Sequence, residues 1–140
     1  MAIIVHLRDL SVSKKTGLPQ PVIYCPSSHV SVDTAISLNV PLAEKKVAVK
    51  PNRRTMRLEQ CFRQVLDSLP ENPLIRDFDV LFNPDYEVDI LRIMASVGKN
   101  KPFQVFWPGT YEDGRLLYAE EGYRDYKVYD LDKYDVTCVI

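Results

Sequence analysis

Asp33 and the triplet Glu44-Lys45-Lys46, eleven residues further on, have the residue types of a metal-dependent nuclease. In such a D…ExK arrangement two carboxylates hold Mg²⁺ and the lysine sits near the attacked phosphate. The chemistry needs Asp33 and Glu44 on neighbouring strands. Acid-x-Lys is also common by chance, and the plainer reading is exposed charge on a loop and a strand end.

Other chemistries are poorly supplied. A phosphate cradle needs backbone N–H groups from a glycine-rich turn followed by a lysine. The five glycines, Gly17, Gly98, Gly109, Gly114 and Gly122, are too far apart to make one. The natural place, after the strand-like Val22–Cys25, reads Pro26-Ser27-Ser28-His29. Hydrolysis of ATP by a phosphate loop is therefore not supported. Ser28-His29 adjacency does not make a triad, which is a spatial arrangement, and His6 reads as structural. Cys25, Cys61 and Cys138 show neither CxxC nor Cys/His spacing, so no disulfide framework or zinc site is implied. No catalytic residue, metal or cofactor is assigned.

Charge is unevenly distributed. Nine Lys/Arg and three Asp/Glu lie up to Arg57, and nine and sixteen beyond it. Lys45, Lys46, Lys50, Arg53, Arg54 and Arg57 form a basic stretch able to attract phosphate or an acidic protein face; the alternative is a solvated face. Seven of eight tyrosines lie at or after Tyr86. Trp107, Tyr111, Tyr118, Tyr123 and Tyr126, with Gly109 and Glu120 among them, read as an aromatic, acidic interface, partly exposed and partly packed. The acids Glu112, Asp113, Glu120, Glu121 and Asp125 disfavour nucleic acid there.

The elements that must position these groups follow from periodicity. Ala2–Leu7 reads as a buried strand, Arg8–Pro21 as a long loop, Val22–Cys25 and Ala35–Val40 as strands, and Lys46–Lys50 as a strand or helix end. Leu58, Cys61, Phe62, Val65, Leu66 and Leu69 make one apolar face of a helix over about 55–69, stopped by Pro70. Pro73–Phe82 reads as a strand. Asn83-Pro84 opens a second helix that runs to about Val97 and ends at Gly98. Phe103–Trp107 reads as a strand, Glu112-Asp113-Gly114 as a hairpin turn returning through Leu116–Ala119, and Val128–Leu131 and Val136–Ile140 as further strands or edges. Residues 1–140 thus form one layered α/β domain: a mostly parallel central sheet flanked by helices, with an antiparallel C-terminal hairpin.

With the run Leu74-Ile75-Arg76-Asp77-Phe78-Asp79 and the segment Phe106-Trp107-Pro108-Gly109-Thr110-Tyr111-Glu112, the stretch Leu74–Tyr129 resembles the BrxF family of bacteriophage-exclusion (BREX) defence systems, small proteins classed as P-loop-containing. The resemblance is carried by Leu74-Ile75-Arg76-Asp77-Phe78-Asp79-Val80-Leu81-Phe82-Asn83-Pro84, which is similar to a Walker B strand, and by Ile90-Leu91-Arg92, Ser96 and Lys99-Asn100-Lys101. Its most specific part is Phe106-Trp107-Pro108-Gly109-Thr110-Tyr111-Glu112, continuing through Leu117-Tyr118-Ala119-Glu120 and Gly122 to Tyr126 and Tyr129. The N-terminal half matches weakly, chiefly at Leu38-Asn39-Val40. The family's phosphate loop is missing. Against the Walker B pattern, Arg76 replaces the metal-linked Asp, where it would repel a cation, and Asp79 replaces the following Glu; Asp77 is adjacent.

The resemblance implies a degenerate P-loop NTPase-like domain that has lost catalysis and kept a partner surface. It would be a non-catalytic adaptor or structural subunit of a BREX-like anti-phage system, in contact with ATPase, PglZ-type or methyltransferase subunits. Opposite basic and acidic faces suit homo-oligomerisation or two partners. The alternatives are a metal-dependent nuclease, a residual nucleotide binder using Asp77 and Asp79, and a nucleic-acid-binding module. The segment Met1–Leu10 is too short for a signal peptide, and no apolar run approaches the roughly 20 residues of a membrane span, so a cytoplasmic, non-membrane protein is expected.

Overall fold

Short strands of two or three residues, separated by helical patterns, build the central layer. The computed structural model describes residues 2–12, 18–46, 54–82 and 88–140. Strands β1 (Ile3–Val5), β2 (Val22–Tyr24), β3 (Ile36–Ser37), β4 (Leu74–Arg76), β5 (Gln104–Phe106) and β9 (Thr137–Val139) form a six-stranded sheet. Its order is β1-β9-β2-β5-β4-β3, and each pairing is parallel. Strands β6 (Thr110–Glu112), β7 (Arg115–Tyr118) and β8 (Lys127–Asp130) form a separate antiparallel sheet. The helices are α1 (Leu7–Val12), α2 (Asn39–Lys46), α3 (Arg54–Asp67) and α4 (Ile90–Gly98). This is the α/β class expected from the sequence. Among the described residues no helix is long and apolar enough to cross a membrane.

The two-residue period of the strands divides their side chains between two cores. Ile23, Cys25, Ile75, Val105 and Cys138 pack with Leu42 of α2, Phe62 of α3 and Met94 of α4. Val22, Tyr24 and Val139 face the other way, onto Val5, Leu7, Leu18 and Val30. The apolar face of α3 is buried as its spacing requires, while Arg57, Gln60, Gln64 and Asp67 are exposed. Its last turn is held from outside: Lys101 Nζ donates to the Leu66 carbonyl at 2.6 Å and pairs with Asp67 at 3.1 Å, satisfying a helix-end acceptor.

Several elements differ from expectation. Ala2–Leu7 is not a buried strand: β1 is the outer strand of the sheet, with Ile3 and Ile4 both exposed. The polar stretch after it begins as helix α1 rather than loop. In Ala35–Val40 only Ile36–Ser37 is strand; Asn39 starts α2, which tolerates Pro41 because first-turn N–H groups need no partner within the helix. Of Lys46–Lys50, Lys46 ends α2, and the remainder lies outside the described residues.

Pro73–Phe82 is not one strand either. Asp77 has φ +56°, which breaks the extended chain, and Asp79–Phe82 forms a 3₁₀ turn. Phe78, Leu81 and Phe82 then reach the core at helical rather than alternate spacing. The Asn83-Pro84 helix start falls outside the described residues. The cap of α4 is Asp89, whose Oδ1 accepts from the Arg92 N–H at 3.0 Å. Gly98 is still helical, and its special role is space, because a Cβ there would lie 2.8 Å from the Gln20 carbonyl carbon. The expected hairpin is the first part of a three-stranded meander, turned at Asp113-Gly114 with both φ positive. Val136–Ile140 does supply a strand, and of the two readings it is the interior one: β9 lies between β1 and β2.

Candidate functional site

Parallel α/β sheets bind ligands beyond the carboxyl ends of their strands, and Arg76, Asp77, Asp79, Trp107, Gly109 and Tyr118 converge there. Strand β2 runs through Cys25 into a 3₁₀ turn, Pro26–Ser28, instead of a glycine loop and helix. The turn consumes its own donors. Ser28 N–H and Ser28 Oγ both donate to the Cys25 carbonyl, at 3.0 and 2.7 Å, and His29 N–H donates to the Pro26 carbonyl at 3.1 Å. An anion would find these groups already engaged. His29 and His6 are exposed.

At the end of β4, Arg76 Nη1 is ion-paired with the neighbouring Asp77, so the Asp77 carboxylate faces a guanidinium. Asp79 accepts a hydrogen bond from Tyr118 Oη at 3.2 Å. Burial, and then Asp79, push the Tyr118 phenol well above its usual range, so it stays a neutral donor.

Trp107, just past β5, fills the space between these ends. Its N–H donates to the Tyr24 carbonyl at 2.9 Å, and the indole is completely buried. Nε1 donates to the Leu117 carbonyl of β7 at 2.9 Å. Phe82 and Tyr129 meet the indole edge-on at 5.7 and 5.8 Å, Phe78 lies 6.5 Å away, and Tyr118 stacks on Phe82 at 3.8 Å. The small sheet closes over this cluster, with β6 against the Pro26–Ser28 turn. The carboxyl end of the sheet is therefore plugged by aromatic rings from four segments of the chain.

The interface candidates thus separate by burial. Trp107 is not a surface anchor; its two-ring side chain is the centre of the plug. Gly109 has a packing role, since a Cβ there would come within 1.8 Å of the Leu117 oxygen. Tyr111 and Tyr118 are half-buried against the core. Tyr126 is half-buried, Glu120 exposed, and Tyr123 stands 66% exposed. On the outer face of the small sheet, Val128 is 43% exposed opposite Leu117. Val128 was missed as a surface residue because V-Y-D read only as strand. Phe78 and Phe82 were missed as plug residues, although their i, i+4 spacing with Leu81 between them was the available signal.

The D…ExK arrangement does not assemble as required. Asp33 lies in a turn before β3 and Glu44 and Lys46 lie on helix α2, not on neighbouring strands. Of the basic stretch, Lys45, Lys46 and Arg54 belong to α2 and α3, Arg57 is exposed on α3, and Lys50 and Arg53 lie outside the described residues. Comparison with protein-family models, curated proteins and solved structures returned no match for this chain.

Proposed function

We propose that this chain is a non-catalytic adaptor subunit of a BREX-like anti-phage defence system, built on a degenerate P-loop-type sheet. The observation that carries the loss of catalysis is the buried Trp107 plug, which occupies the place where an α/β sheet of this kind takes a nucleotide. Two further features support the reading. Counted from β2, the strands lie in the order fifth, first, fourth, third, second, which is how P-loop ATPases with an added strand arrange theirs. The turn after the first of these strands has spent its Ser28 and His29 donors internally.

The partner surface is the outer face of the small sheet and the loop beside it. Val128 and Tyr123 are the exposed apolar contacts, and the exposed charges of the same sheet and loop are acidic in balance, Glu112, Asp113, Glu120, Glu121 and Asp130 against Arg115 and Arg124. Charge complementarity selects a partner protein with a basic face, an ATPase, PglZ-type or methyltransferase subunit of the same cytoplasmic assembly. The nuclease and nucleic-acid alternatives draw no specific support from the geometry.

The test is co-expression with the proteins encoded beside this one. Tyr123→Ala with Val128→Asp should leave a folded chain that no longer co-purifies with a neighbour that the unaltered chain retains. Retention by the double variant would reject this surface. Saturable Mg²⁺–ATP binding that is lost in Asp79→Asn would reject the non-catalytic reading.

A further inference from the structure

Away from the plugged end, α4 carries a second stripe the proposed function does not use. Arg92, Ser96 and Lys99 fall at i, i+4 and i+7, on one side of the helix, with Ala95 beside them. The opposite wall is the segment Lys133–Asp135, which leads into β9. Between the two walls lies a groove of about 360 Å³, within the size range of small-ligand sites. Ala95 and Ser96 are small, so the floor is low where the long Arg92 and Lys99 side chains flank it.

The two walls are tied to each other by fixed contacts. Tyr134 Oη donates to Asp89 Oδ2 at 2.5 Å, while the other oxygen of Asp89 caps α4. The Arg92 guanidinium sits 5.4 Å from the Tyr134 ring centroid and 3.7 Å from Asp89. Asp89 is thus occupied by the scaffold. Of the charges lining the groove, three are cationic, Arg92, Lys99 and Lys133, and one is anionic, Asp135. Lys99, Lys133 and Asp135 are exposed.

We propose that this groove binds a small phosphate ester of a hydroxylated compound. Lys99 and Lys133 meet the phosphate from opposite walls and Arg92 adds a planar donor fork. The Ser96 hydroxyl supplies a neutral donor from the floor. Asp135 would repel a bare phosphate, but a carboxylate accepts hydrogen bonds from sugar hydroxyls. A groove of this volume admits one sugar or nucleoside monophosphate, not a duplex backbone. Sugar phosphates and nucleotides share this chemistry, and a titration separates them.

Isothermal titration calorimetry of the whole chain at low salt would use ribose 5-phosphate, AMP, inorganic phosphate and a short DNA duplex. Saturable one-to-one binding of ribose 5-phosphate or AMP is expected, weakened about tenfold or more by Lys99→Gln and by Lys133→Gln. Both lysines are exposed, so circular dichroism and Tm should not change. A preference for AMP over ribose 5-phosphate assigns the nucleotide class; equal binding assigns the sugar phosphate. Asp135→Asn should weaken the ester while strengthening inorganic phosphate, a reversal that plain charge attraction does not give. Binding of inorganic phosphate alone, binding unaffected by both lysine variants, tighter binding of DNA, or no heat up to about 1 mM ligand would each overturn the proposal.

Discussion

Trp107 Nε1 donates to the carbonyl of Leu117 at 2.9 Å across the gap between the parallel sheet and the small antiparallel one. The contact ties the end of β5 to the middle of β7, and it exists because position 109 has no side chain. A Cβ at Gly109 would meet the same Leu117 oxygen at 1.8 Å and Trp107 Nε1 at 2.9 Å. The indole, the glycine and the carbonyl form one joint, so their substitutions should not be additive.

Gly109→Ala should cost about 3 kcal/mol, because the clash is with backbone and relief requires β7 to move off the sheet. Trp107→Ala should cost about 3–5 kcal/mol through the cavity it leaves. Urea unfolding of both single variants and the double variant measures this. A Gly109→Ala protein as stable as the original would mean the joint is wrongly described.

Trp107 is the single tryptophan of the chain, so intrinsic fluorescence reads the plug directly. The folded protein should emit at shorter wavelength than it does in urea, and iodide should barely quench it. Ready quenching of the folded protein would place the indole at the surface.

Tyr118, Tyr129 and Tyr134 are all pushed above the usual phenol range, by burial first and then by nearby carboxylates, Asp79 for Tyr118 and Asp89 for the other two. A folded-state value above the unfolded one makes their contribution complete below about pH 10, the unfolded phenol value. It is lost as pH rises beyond that. The phenolate absorbance of these three, read as the difference between the unaltered protein and its Tyr→Phe variants, should therefore appear together with loss of the Trp107 signal as the protein unfolds in alkali. Tyr118→Phe and Tyr134→Phe should each flatten the alkaline limb. Ionisation of these three well before the fluorescence change would show that their rings are open to solvent in the folded protein.

Cys25 and Cys138, on adjacent strands, hold their sulfurs 3.3 Å apart in the core, and Cys61 is buried too. The contact with Cys25 and then burial push the Cys138 thiol upward, suppressing the reactive thiolate. In the native protein at neutral pH, iodoacetamide should leave the thiols largely unmodified. In urea all three should react. Rapid labelling of Cys138 in the native state would show that β9 opens far more easily than an interior strand should.

Features set by local chemistry were legible in the amino-acid order. The helix α3 follows from six apolar residues on one face, the β6–β7 turn from Asp113-Gly114, and the α/β class from alternating short apolar runs and helical patterns. The absence of a glycine-rich phosphate loop was equally plain, since it needs clustered glycines the chain lacks. Tertiary structure decided what depends on distant partners. Ile3-Ile4-Val5 is the more apolar triplet and Thr137-Cys138-Val139 the less, yet β1 ends at the sheet edge and β9 runs in its interior. Which of the clustered aromatics is core was also undecidable locally. Trp107 and Tyr123 lie in the same acidic, tyrosine-rich stretch, but only Trp107 meets Phe78, Phe82 and Tyr129, brought from elsewhere in the chain. The α4 groove was hidden for the same reason. Arg92 and Lys99 share a helix face visible in the sequence, while Lys133 and Asp135 reach it only because Tyr134 is bound to Asp89 forty-five residues away. Periodicity records which face of an element is apolar; burial and proximity are set by what that face finds opposite it.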